Sequence, residues 1–176
     1  MTTTPIPGHD EDFVGDPESV ARMLVLRQLD ARARTRNELE RYLARKGVSE
    51  EPARRVLDRF VEVGLVDDRA LAASYVTSRH QEQGLARRAL IQKLRLRGIE
   101  DSVAAEAVEQ VDPDSELEAA RRLVAKRMGS LGGLEPDVQV RRLVSLLGRK
   151  GYSSGLAYRV VREHVTQLAD PGDGLD

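Results

Sequence analysis

Three stretches of this chain, ELERYLARKGV at residues 38–48, ALIQKLRLRGI at 89–99 and RLVSLLGRKGY at 142–152, follow one pattern. Each runs to a glycine, Gly47, Gly98 or Gly151, and these lie 51 and 53 residues apart. Leu39, Leu90 and Leu143 stand eight positions before the glycine, and Leu43, Leu94 and Leu147 four before it. Leucines four apart share one face of an α-helix. Lys46, Arg97 or Lys150 comes just before the glycine, where a cation interacts favourably with the carbonyl end of a helix. The glycine then supplies a left-handed C-terminal cap, and Val48, Ile99 or Tyr152 can pack back onto the helix just ended.

The pattern extends on both sides. Nine and ten positions past each glycine come Val56 and Leu57, Ala107 and Val108, or Val160 and Val161, the apolar face of a following helix. Ser49, Asp101 and Ser153 are placed to cap its start. A longer helix precedes each copy: one opening at Asp16 with Pro17 in its first turn, one from Asp67 to a stop at Gly84, and one opening near Asp114. A glycine-rich loop, Gly129 to Gly133, divides helices in the third copy. The spacing therefore predicts an all-α protein of three tandem three-helix repeats forming an elongated, curved array. The expected boundaries are a disordered acidic tail over 1–16, repeats over 17–66, 67–112 and 113–168, and a disordered tail over 169–176.

Composition agrees with a thin, helical core. Two Phe, four Tyr and no Trp leave Leu, Val and Ala to fill it, while 32% of residues are charged. Cysteine is absent, so there is neither a disulfide framework nor a thiolate metal site. No apolar run approaches the ~20 residues of a membrane helix, and the N-terminus lacks the features of a secretory signal. A soluble, cytoplasmic protein without a membrane partner is expected.

The net charge of −1 hides a segregation. Residues 1–20 carry −5, 21–100 carry +7, 101–120 carry −7, 121–165 carry +7 and 166–176 carry −3. Read along the chain, two basic bodies alternate with acidic tail and linker segments, a distribution suited to a polyanion or an acidic protein surface. The alternative is solvated helix faces in an arginine-rich protein.

No catalytic constellation emerges. His9 falls in the tail, His80 on the outer part of a helix and His164 near the last helix end, with no metal-ligand spacing among them. Asp67 and Asp68 precede an apolar helical run, where capping explains them better than acid–base chemistry. GRKG at 148–151 lacks the spacing of a phosphate loop and closes a helix instead of opening one. The basic residues are the stronger signal: Arg36, Arg41, Arg45 and Lys46 in the first copy; Arg87, Arg88, Lys93, Arg95 and Arg97 in the second; Arg141, Arg142, Arg149 and Lys150 in the third. Such residues along a groove follow phosphates without reading bases. Base stacking is a weak prospect, because Tyr42 and Tyr75 fall on apolar faces.

The junction from Gly64 to Ile99, GLVDDRALAASYVTSRHQEQGLARRALIQKLRLRGI, resembles the signature of the RecX family, regulators of the RecA recombinase. The positions that carry the resemblance are Gly64, Leu65, Asp67, Asp68, Ala72, Tyr75, Val76, Arg79, Gly84, Leu94 and Gly98, with looser likeness over 18–166. Leu71 departs from it, standing where the family usually has an aromatic residue. The resemblance implies three tandem three-helix units and a protein, without catalytic residues, that binds the RecA filament on DNA; a monomer without cofactor is expected. It implies restraint of strand exchange and ATP hydrolysis in DNA repair, homologous recombination and the SOS response. Weak binding to single- and double-stranded DNA without sequence preference is also implied, and Arg79 is the motif residue singled out for a role beyond packing. Two other readings stay open: a sequence-specific repressor with helix-turn-helix-like units, and a purely protein-binding helical scaffold.

Overall fold

A computed structural model describes the backbone of residues 15–169 and the side chains of 15–165. Among the described residues there are nine helices and no strand, in three consecutive groups of three. The first group is α1 (Pro17–Ala31), α2 (Arg36–Arg45) and α3 (Glu50–Glu62); the second is α4 (Asp68–Gln83), α5 (Arg87–Leu96) and α6 (Asp101–Val108); the third is α7 (Pro113–Met128), α8 (Pro136–Arg149) and α9 (Ser154–Ala169). The chain divides into two compact bodies. One ends at Val66 and holds the first group; the other begins at Asp67 and holds the second and third.

The repeated leucines do what their spacing predicts. Leu39, Leu43, Leu90, Leu94, Leu143 and Leu147 are each fully buried. A leucine side chain removed from water contributes roughly 1.5–3 kcal/mol, so each pair fixes which side of its helix faces inward. In the first group they meet Val25 of α1 and Leu57 of α3; in the second, Val76 of α4 and Val108 of α6; in the third, Val124 of α7 and Val161 of α9. The glycine caps also form: Gly47, Gly98 and Gly151 have φ of 77°, 78° and 94°. The amides of Val48, Ile99 and Tyr152 return to the carbonyls of Leu43, Leu94 and Leu147 at 3.1 Å, the six-to-one bond of a Schellman turn.

Helix starts depart from expectation in several places. Asp16 caps α1, its carboxylate accepting from the Ser19 amide at 3.3 Å. Ser153 Oγ accepts from the Leu156 amide at 3.3 Å, but Ser49, at the equivalent position, makes no such bond. Asp101 is not a cap: Glu100 holds that position, and Asp101, one residue inside the helix, binds the Arg95 guanidinium at 2.6 Å. The third group opens at Pro113, near Asp114 as expected, because Asp112 accepts from the Ser115 amide at 2.7 Å and proline suits the first helical position. The acidic stretch 101–120 is not a linker. It forms α6 and the first half of α7, so in the second group an acidic helix lies beside a basic one. The expectation of disordered tails concerns residues 1–14 and 170–176, which lie outside the described residues.

His80 is also placed differently from its reading as an outer residue. It is buried, and its Nδ1 donates to the Leu85 carbonyl at 2.9 Å, closing the turn after α4. Among the described residues no helix is long and apolar enough to cross a membrane.

Candidate nucleic-acid interface

The second helix of each group is built so that its basic residues point away from the core. Thr35 starts α2 with a capping box: its hydroxyl accepts from the Glu38 amide at 3.0 Å, and the Glu38 carboxylate accepts from the Thr35 amide at 3.2 Å. With Leu39 and Leu43 turned inward, Arg41 and Arg45 are exposed and make no ion pair among the described residues. Leu90 and Leu94 orient α5 in the same way, exposing Arg88 and Lys93 and half-burying Arg87, and none of these three side chains has a partner among the described residues. On α8, Arg141, Arg142 and Arg149 are exposed and likewise unpaired among the described residues.

The other six sequence-selected cations are engaged inside the fold. Arg36 binds Asp58 at 2.6 Å and Glu40 at 3.1 Å. Partial burial opposes its charge, but hydrogen bonds to Asp58 and Glu40 leave its pKa raised. Arg95 is held by Asp101. Arg79 lies 5.4 Å and Arg97 5.6 Å from the centre of the Tyr75 ring, and Arg79 also reaches Glu82 at 3.8 Å. Lys46 sits 5.9 Å from the Tyr42 ring, and Lys150 Nζ donates to the Gln83 carbonyl at 2.9 Å. Lys46, Arg97 and Lys150 are the cations preceding the capping glycines, and each is occupied within the fold.

The structure therefore leaves eight of the fourteen available: Arg41, Arg45, Arg87, Arg88, Lys93, Arg141, Arg142 and Arg149. All eight lie on second helices. It also exposes basic residues that the repeat pattern missed, Arg122, Lys126 and Arg127 on α7, without ion pairs among the described residues. A count of basic residues within α7 alone would have found them.

The third helices differ. In α3, Arg54 binds Glu51 and Asp58, Arg55 binds Glu18 and Glu51, and Arg59 binds Glu62. Helix α6 carries no basic residue, and its Glu106 pairs with Arg69 of α4. In α9, Arg159 reaches Glu163 at 3.8 Å. A repressor that inserted its third helices into the major groove would bring an acidic α6 against phosphate. The Asp67 carboxylate caps α4 by accepting from the Ala70 amide at 2.9 Å, and no cluster of three or more metal-ligating side chains occurs among the described residues.

Comparison with known proteins now bears on this arrangement. The profile described as RecX, first three-helix domain, matches residues 21–60; those of the second and third three-helix domains match 67–108 and 114–161. The chain belongs to the RecX family. It is 47% identical over 160 residues to Regulatory protein RecX of Streptomyces coelicolor, covering 91% of this chain and 85% of that one. To Regulatory protein RecX of Mycolicibacterium smegmatis it is 41% identical over 168 residues, covering 92% and 89%. The crystal structure of RecX from Lactobacillus salivarius shares the fold, with a TM-score of 0.77 at 20% identity, covering 86% of this chain and 98% of that chain. The RecX relatives are named as regulatory proteins, and the RecX three-helix domains coincide with the three groups of helices.

Proposed function

We propose that this RecX-family protein binds the RecA filament on DNA and inhibits its ATP hydrolysis and strand exchange, with the second helices of its three domains following phosphates. One observation carries the reading. Every sequence-selected cation left without an internal partner lies on α2, α5 or α8, whereas those of α3 are paired and α6 has none. Exposed guanidiniums and ammoniums that no carboxylate neutralises are what a polyanion engages, by displacing condensed counterions and without reading sequence. The pairing of the α3 cations and the absence of cations from α6 count against a sequence-specific repressor, and the unpaired cations of α2, α5 and α8 count against a scaffold indifferent to DNA.

The test is a titration of the full chain into RecA filaments on single-stranded DNA while ATP hydrolysis is followed. Substoichiometric inhibition is expected, relieved when Arg87, Arg88 and Lys93 are replaced together by glutamate. Unchanged hydrolysis at excess protein overturns the proposal.

A further inference from the structure

Helix α5 begins badly by every local rule. Its cap residue, Ala86, has no side chain that could accept a hydrogen bond, and its first turn holds no acidic residue. Instead, Arg87 and Arg88 place two positive charges at the positive end of the helix dipole. What is missing comes from the third domain. The Glu116 carboxylate of α7 accepts from the Arg87 amide at 2.8 Å, and the Lys150 carbonyl accepts from the Ala86 amide at 3.0 Å. Just upstream, Lys150 Nζ donates to the Gln83 carbonyl and Tyr152 Oη to the Gly84 carbonyl, both at 2.9 Å.

Packing closes the same junction. A Cβ on Gly151 would fall 2.6 Å from the Cβ of Ala89, and one on Gly84 would fall 2.9 Å from Leu123. Ala86 itself belongs to the core of the third domain. Burial pushes the Tyr152 phenol up, the Glu116 charge adds to this, and the Arg122 charge opposes it.

We infer that this junction is a phosphate-binding surface in which Arg87 and Arg88 of the second domain engage the backbone of one nucleic-acid strand, with Glu116 and Tyr152 of the third as positioning residues. Because Glu116 occupies the Arg87 amide, the guanidiniums are the groups left to meet phosphate. The inference rests on the reading that second helices contact DNA, and it adds that α5 presents its arginines only when the third domain holds its start.

The sign of one substitution separates positioning from simple charge. Glu116 is a negative group beside a cationic surface, so charge alone predicts that both Glu116→Gln and Glu116→Ala strengthen DNA binding. Positioning predicts opposite outcomes: glutamine keeps an oxygen acceptor and binds at least as tightly as the parent, whereas alanine binds several-fold more weakly. The full chain is titrated against a fluorescent oligo-dT over a series of salt concentrations. On a single strand, every phosphate that the protein ceases to neutralise lowers the salt slope by about 0.7. Glu116→Ala is expected to lower it by about two such steps, one for each arginine. Tight binding by Glu116→Ala, or a salt slope for it equal to the parent's, overturns the inference. If Arg87→Gln with Arg88→Gln leaves binding unchanged, it is the functional reading that fails.

Discussion

Replacing Gly151 by alanine tests how closely the second and third domains approach, because its counterpart Gly47 provides the reference. Gly47 has φ of 77° and open space where a Cβ would stand. Alanine there costs only the left-handed conformation, about 1–2 kcal/mol, less the ~0.4–1 kcal/mol gained from a less flexible unfolded chain. At Gly151, φ is 94° and the new Cβ would lie 2.6 Å from Ala89 Cβ, 2.7 Å from its amide nitrogen and 3.1 Å from its Cα. Two of these are backbone atoms, so relief requires moving α5 as a whole, and forced overpacking of this kind adds about 1–3 kcal/mol. Gly151→Ala should therefore cost about 2–4 kcal/mol and Gly47→Ala about 1 kcal/mol. Native-state hydrogen exchange measures each body separately through amides of α8 and α2. At about 1.4 kcal/mol per factor of ten, protection in α8 should fall at least 30-fold in Gly151→Ala, against roughly fivefold in α2 for Gly47→Ala. Equal losses in the two variants would refute the close approach of Gly151 to α5.

Other substitutions address single interactions. Tyr152→Phe leaves the Gly84 carbonyl without the phenol that donates to it, and should destabilise the second body by about 1–3 kcal/mol in a urea titration. Arg41→Gln should lower the salt slope of single-stranded DNA binding by about 0.7, whereas Arg54→Gln, whose side chain is held by Glu51 and Asp58, should leave it unchanged. Asp112 is held below its ordinary value of 3.8 by hydrogen bonds from the backbone and side chain of Ser115. A depressed carboxylate stabilises fully above its unfolded value and ceases to as pH falls through the folded one. Protection at the start of α7 should thus decline below about pH 3.8, a dependence that Asp112→Asn abolishes in an NMR titration.

Much of the fold was legible because the repeat combines two independent requirements, an inward leucine pair and a left-handed glycine. Either alone is common, but their coincidence at Gly47, Gly98 and Gly151 leaves little else the segments can do. Helix starts were less legible. Several side chains can compete to cap one turn, and Asp101 was drawn away by Arg95. The charge pattern selected residues of the second helices but could not separate Arg41 from Arg36, because Asp58 lies 22 positions beyond Arg36 in the chain. Lys150 was selected for its charge and proves to bind Gln83, 67 positions earlier. Glu116, counted only as part of an acidic block, is the residue that completes α5.

The dependence of α5 on later residues bears on how the chain acquires its structure during synthesis. The first domain needs nothing beyond Val66 to fill its core. The second domain has its leucines, its glycine cap and α6 in hand once Val111 has emerged, but the groups that settle the start of α5 are Glu116, Lys150 and Tyr152. At about 5–20 residues per second, the ribosome delivers Tyr152 seconds after Arg87. Through that interval two adjacent arginines stand at an unfinished helix end. The first domain matures alone, while the second and third mature together.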